Sequence, residues 1–176
     1  TKIDLINSSF ITSYSPIFAY GSKDHPIEFT SSDKTGRGLL LLNSKVQSNF
    51  DFVIFSNLSN YENKGLSGAI SIYESKVFFN NTSFKKNING DDFLNIVRSK
   101  FKIHNSLFSD IKFDALDSDF SSGEIQNTFF HNIGNDAIDF SGSNVTLKKA
   151  YFYRVSDKAI SAGENSKINI TDIIAS

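Results

Sequence analysis

Apolar and polar residues alternate in short stretches along this chain, as in Phe101-Lys102-Ile103-His104 and Val145-Thr146-Leu147-Lys148. A period of two is that of a half-buried strand. No stretch of ten or more residues carries a helical stripe. The strand-like stretches recur at a fixed lag of 22 residues through the C-terminal half. Leu94, Leu116, Ile138 and Ile160 align, as do Asp92, Asp114 and Asp136, a column that Lys158 continues. Phe108, Phe130 and Phe152 align, and Phe84 joins them if its unit carries two extra residues around Asn87–Gly90. Phe79, Ile103, Ile125 and Leu147 lie ahead of that column; Ile88, Ile111, Ile133 and Val155 lie after it.

The repeated unit reads apolar-x-apolar-x-Asn-Ser/Thr-x-Phe-x-x-Ile, then a turn, then Asp-Ala-Ile/Leu. Near the N-terminus Ile3–Phe10 reads as the first part of such a unit, with Phe10 at the Phe position and Asn7 at the Asn position. Phe50–Phe55 with Leu58, and Ala69–Ile72, match it more loosely. Ser22–Pro26 and Asn60–Gly65 hold breaker residues and read as loops. At about 3.3 Å per residue, 22 residues trace a perimeter of roughly 70 Å, the length of a coil of three short strands. Stacked coils would lie about 4.8 Å apart, and each column would become a ladder. The predicted fold is all-β, a solenoid of about seven coils of roughly 22 residues. Leucine-rich and calcium-binding nonapeptide repeats need signatures this chain lacks.

Composition agrees with this reading: 18 Phe, 20 Ile, 18 Asn and 27 Ser stand against 2 Pro. Cysteine is absent, which excludes disulfides and thiolate chemistry. The net charge is -1, and Lys and Arg read as spread along the chain, so nucleic acid is not an expected partner. No apolar run approaches the roughly 18 residues of a membrane span. The chain starts at Thr1 and lacks Met. Residues 1–176 are therefore expected to be a single β-helix domain cut from a longer polypeptide. Further coils, a neighbouring domain, a cap or a partner are expected to cover at least one open end.

Phe129-Phe-His-Asn-Ile-Gly-Asn-Asp-Ala-Ile-Asp-Phe-Ser-Gly-Ser143 resembles the coils of right-handed parallel β-helix proteins, the pectate-lyase-like superfamily. His25-Pro-Ile-Glu-Phe-Thr-Ser-Ser32 resembles an entry segment of bacterial secreted members, and short stretches are similar to β-helix segments associated with CotH-type kinases. The resemblance implies a right-handed parallel solenoid, secreted or at the cell surface. It leaves function open, because the scaffold carries lyases, hydrolases, adhesins and spacers. The Asn column of Asn7, Asn81, Asn105 and Asn127 looks like the superfamily's asparagine ladder, interrupted by Lys149.

Candidate chemistry lies in two sets of residues. Asp117 and Asp139 alternate with the apolar Leu116 and Ile138, so both should face outward on adjacent coils, about 5 Å apart. That spacing suits a retaining glycosidase pair or calcium. The competing reading has the Asp column shape turns by bonding its own backbone, with solvent and scattered Lys balancing the outward carboxylates. That reading is preferred, so no metal or other cofactor is expected, and calcium is the disfavoured alternative. His131 and Tyr153 follow the ladder residues Phe130 and Phe152 and should point outward on neighbouring coils. With Phe78 they could form a sugar-contacting strip; Tyr14, Tyr20, Tyr61 and Tyr73 are other candidate exposed rings. Gly90-Asp91-Asp92 matches a polygalacturonase triplet, but that family's Gly-His-Gly and Arg-Ile-Lys partners are missing. Arg98 and Arg154, the candidate lyase bases, fall in different columns and read as solvated charges or ion pairs with Asp.

No catalytic set is complete. The expected function is a secreted or cell-surface binding or structural module contacting polysaccharide through Asp117, Asp139, His131 and Tyr153. The alternative is a polysaccharide lyase or glycoside hydrolase acting through the Asp-rich face.

Overall fold

A computed structural model describes residues 1–60 and 67–176. Tyr61 and most of the expected Asn60–Gly65 loop lie outside the described residues. Every strand pairing is parallel, and the coils stack as a solenoid of about seven turns with a spacing of about 23 residues. Each full coil contributes one strand to each of three faces. The first face holds Phe18–Tyr20, Ser48–Asp51, Lys76–Asn80 and Lys100–His104. The second holds Lys2–Asp4, Ile27–Thr30, Val53–Ser56, Ser83–Lys85 and Leu107–Ile111. Three long strands, Ser122–Ile133, Asn144–Val155 and Lys167–Ala175, bend from the first face into the second. The third face holds Ile11–Ser13, Leu39–Leu42, Gly68–Tyr73, Asp92–Val97, Asp114–Asp119, Ile138–Ser141 and Ser161–Gly163.

The corners explain why these sequences coil. At the bend from first to second face, Phe52, Asn81, Asn105, Asn127, Lys149 and Asp172 all adopt positive φ. Asn57, Lys86, Asp110, Asn132 and Arg154 do so at the next corner, and Asn43, Glu74, Arg98, Phe120 and Gly142 at the third. Asn enters this left-handed region at little cost, whereas Phe, Lys and Arg pay more for it. The stacked coils supply the offset. Backbone N–H groups at the bends donate to the next coil, as Asn81 does to the His104 carbonyl and Asn105 to that of Gln126.

Inside, the expected columns are in place. Phe79, Ile103, Ile125 and Leu147 are buried in register, as are Leu94, Leu116 and Ile138. Val155 and Ile160, in the last turns, are only partly buried. The phenylalanine ladder runs further than its repeat suggested: Phe29, Phe55, Phe84, Phe108, Phe130 and Phe152 stack with centroids 4.4–5.5 Å apart. Phe84 pairs with Phe108, 24 residues on, while Asp92 pairs with Asp114, 22 on, so the two extra residues fall between them.

Three register expectations are corrected. Ile3, not Phe10, pairs with Phe29 and heads the ring column, and Phe10 is 44 % exposed. Asn7 therefore makes a corner after the second face and stands outside the asparagine ladder. Its backbone N–H donates to Asp33, whose carboxyl is held well below the usual range by this bond and one from Thr35 N–H. Counting on from the Phe84–Phe108 pair, Asn87 rather than Ile88 falls level with Ile111. It is buried, and its Oδ1 accepts the Lys112 N–H. The ladder itself is partly as expected. Asn127 Nδ2 donates to Asn105 Oδ1 at 2.8 Å, but Asn105 then donates to Asn80, and Asn81 to Asp51.

A second polar ladder is made of serine. Ser44, Ser75, Ser99, Ser121, Ser143 and Ser166 stack just after the third corner. The backbone N–H of each but Ser166 donates to the serine Oγ of the next coil at 2.9–3.1 Å, which satisfies donors that the bend removes from the strand ladder. Ser121→Ala is expected to cost about 1–3 kcal/mol by leaving the Ser99 N–H buried without its acceptor. Urea denaturation would measure it, and a loss below about 0.5 kcal/mol would show that the hydroxyl row is dispensable.

Candidate functional site

The outer surface of the second face is built by strands Ser122–Ile133 and Asn144–Val155. Phe130 and Phe152 point inward, so the residues on either side of each point outward. His131 and Tyr153 are register partners, with rings stacked at 5.5 Å and 8°. Phe129 and Tyr151, two residues earlier on the same strands, stack at 4.5 Å and 11°. The Arg154 guanidinium lies 5.1 Å from the Tyr153 ring centroid. Leu107 and Ile174 flank Phe129 and Tyr151 in register, which prolongs an apolar ridge along the solenoid. Phe129 and Tyr153 are 47 % and 45 % exposed. Because the rings stack in pairs along the axis, one face of each ring is covered by its partner.

The fold thus brings His131 and Tyr153 together, and adds Phe129 and Tyr151. The signal for the added pair was present: Phe129-x-His131 and Tyr151-x-Tyr153 put rings at alternate positions of adjacent coils. Phe78 does not join them. It lies on the first face, its ring edge-on to His104 at 5.1 Å. Tyr14 and Tyr20 are exposed elsewhere.

Asp117 and Asp139 are paired in register on the third face, behind the buried Leu116 and Ile138. They lie on a different face from His131 and Tyr153, so the four residues make no common site. Asp117 is half-buried, not solvated by scattered lysines as expected. Asn95 Nδ2 donates to its Oδ2 at 3.0 Å. Burial, reinforced by Asp92, Asp119 and Asp139, pushes the Asp117 carboxyl up to about 8. Asp92 is buried and bonded by the Ser67 hydroxyl; burial and the neighbouring Asp91, Asp114 and Asp119 push it up to about 7. Asp119 is also raised, chiefly by burial. Burial and mutual repulsion in this cluster both favour the protonated form.

Lys158 pairs with Asp136 at 3.3 Å and with Asp157. It closes the Asp column as its sequence position suggested. The column does shape turns, but between coils. Asp114 Oδ1 accepts the Asp136 N–H and Asp136 Oδ1 accepts the Lys158 N–H, so each carboxylate caps the following turn, not its own. Arg98 and Arg154 form no ion pair with Asp among the described residues; Arg98 donates to the Tyr73 hydroxyl at 2.6 Å. Among the described residues no group of three or more His, Asp or Glu is arranged to hold a metal ion. Nor is any helix long and apolar enough to cross a membrane.

No protein-family model matches this chain, and no curated protein matches it. The function is therefore argued from these surfaces.

Proposed function

We propose that this protein is a secreted or cell-surface binding module, a right-handed solenoid of the pectate-lyase-like kind, which contacts carbohydrate along the outer strip of its second face. The observation that carries this reading is the pair of ring ladders, Phe129–Tyr151 and His131–Tyr153. Their stacked bodies form apolar ridges. The phenol and imidazole groups add hydrogen-bonding capacity along them, the mixture of apolar and polar contact that sugar hydroxyls and C–H groups require. The carboxylate cluster lies on the third face, away from this strip, so binding without bond cleavage is the simplest use of it.

The protein is expected to bind at least one polysaccharide in a glycan array. Phe129→Ala with Tyr153→Ala should weaken that binding at least about tenfold with an unchanged circular dichroism spectrum, since anchors of this size dominate contact energies. A folded parent that binds no glycan would sink the reading.

One observation favours the alternative of a polysaccharide lyase or glycoside hydrolase: a raised Asp117 carboxyl beside Asp139, since perturbed carboxyls collect at catalytic sites. Release of reducing ends or unsaturated products, abolished by Asp117→Asn, would establish it.

A further inference from the structure

The lysines that look dispersed in the sequence are gathered by the fold. Three consecutive coils place a Lys directly after a ladder serine, at Ser44-Lys45, Ser75-Lys76 and Ser99-Lys100. Lys76 and Lys100 are register partners on adjacent strands, which places their backbones about 4.8 Å apart. Arg98 and Lys102 flank Lys100 on its own coil, and Lys148 lies two coils further on. All six cations are exposed. Two shallow depressions follow them along the first face and its entry corner. One, of about 420 Å³, is lined in part by Lys45, Lys76, Arg98 and Lys100; the other, of about 630 Å³, by Lys100, Lys102 and Lys148. They meet at Lys100.

Like charges held one coil apart repel, and the six cations outnumber the two acids among them, Glu74 and Glu124, the latter the register partner of Lys102. Among the described residues none of the six forms an ion pair. Glu74 and Glu124 are the acids lining the two depressions, and Glu124 lies 3.5 Å from His104 Nε2. Asp92, Asp114, Asp117, Asp119 and Asp139 lie together on the third face, away from this row.

We infer that this row of cations is a binding surface for an acidic polysaccharide, carboxylated or sulfated, laid along the solenoid axis. Spacing favours that class of polyanion. Lys45, Lys76 and Lys100 follow one another on three consecutive coils, near 4.8 Å apart, and a polyuronate carries its charges one per sugar residue. Duplex DNA presents a charge about every 1.7 Å, far denser than this row. Single-stranded nucleic acid needs exposed ring faces on which bases stack. The aromatic side chain lining the depressions, Phe101, is buried, and Phe78 packs against His104. This surface is distinct from the aromatic strip of the second face and does not depend on it.

The test titrates the protein with carboxymethyl dextran, dextran sulfate, neutral dextran and a DNA duplex of equal total charge. At least one charged dextran should bind and neutral dextran should not, the two charged forms separating carboxylate from sulfate recognition. The affinity should fall at least about tenfold between about 50 and 200 mM salt. Lys76→Ser with Lys100→Ser installs the residue type that the next coil carries at Ser122, and should weaken binding at least about tenfold with the fold intact. Tyr151→Ala with Tyr153→Ala should leave this binding unchanged, which separates it from the second-face reading. Failure of both charged dextrans to bind at low salt would overturn the inference. So would DNA binding as tight as dextran binding, or a double lysine variant that binds like the parent.

Discussion

Unfolding free energy is expected to fall as the pH is raised from about 5 to about 8.5, the reverse of the acid lability common among folded domains. In the folded chain Asp92 and Asp117 keep their protons up to about 7 and about 8, respectively. An unfolded chain releases them near 3.9. Between those limits the native state binds more protons, so the stabilisation is complete below about pH 4 and lost as pH rises through 7 to 8. Each carboxyl contributes a slope of up to about 1.4 kcal/mol per pH unit, and the two are neighbours, so their losses are not additive. His104, pushed down chiefly by burial, acts in the opposite direction at acid pH, so a comparison of variants isolates the carboxyls. Asp117→Asn retains an oxygen to accept the Asn95 amide and cannot ionise. It should gain about 4 kcal/mol on the parent between pH 5 and 8.5 in urea denaturation, about 1.4 kcal/mol for each pH unit from 5 to the folded value near 8. A parent of equal stability at both pH values, or a variant with no such gain, would contradict the picture of a protonated carboxyl cluster.

Phe130→Ala should cost about 3–5 kcal/mol, the range for deleting a large core side chain. Phe130 is 1 % exposed and sits between the rings of Phe108 and Phe152 at 4.9 and 5.1 Å. Its loss leaves a cavity inside the coil and takes a stacking partner from both neighbours. Phe129→Ala, one residue away but on the outer surface, should cost about 1 kcal/mol or less, mainly its stacking on Tyr151. The contrast tests the register directly, because a slip of one residue would exchange the two effects. Chemical denaturation of both variants decides it; a Phe130→Ala cost under 1 kcal/mol would place that ring outside.

The solenoid and its C-terminal register were legible because stacking converts a lag of 22 residues into contact. The Phe108–Phe130–Phe152 column repeats in sequence for the same reason that its rings touch. Near the N-terminus the spelling of the unit and its register part company. Ile3–Phe10 is spelled like a first-face strand with its asparagine bend, yet Asn7 makes a different corner. All three corners use left-handed residues on most coils, and an Asn does not say which corner it makes. Phe52 and Phe120 carried no signal of bending at all, because their positive φ is imposed by the coils on either side. Asn87 takes the place expected of Ile88, a polar residue in an apolar column, because the Lys112 N–H gives its oxygen a partner that only the stacked turn provides.

Alternation along each strand was enough to send His131, Tyr153, Asp117 and Asp139 outward, because a strand's side chains point to opposite sides by covalent geometry. The sequence by itself thus determined the parallel coil, its period, its inner columns and the outward direction of the candidate residues. Only the tertiary structure decided which of them meet. His131 and Tyr153 share the second face with Phe129 and Tyr151, while the carboxylates lie round a corner on the third. It also decided that Asp117 is shielded enough to hold a proton and that distant lysines share one face. The reason is that a period fixes position along the coil, but desolvation and charge density depend on everything the neighbouring coils place within a few ångströms.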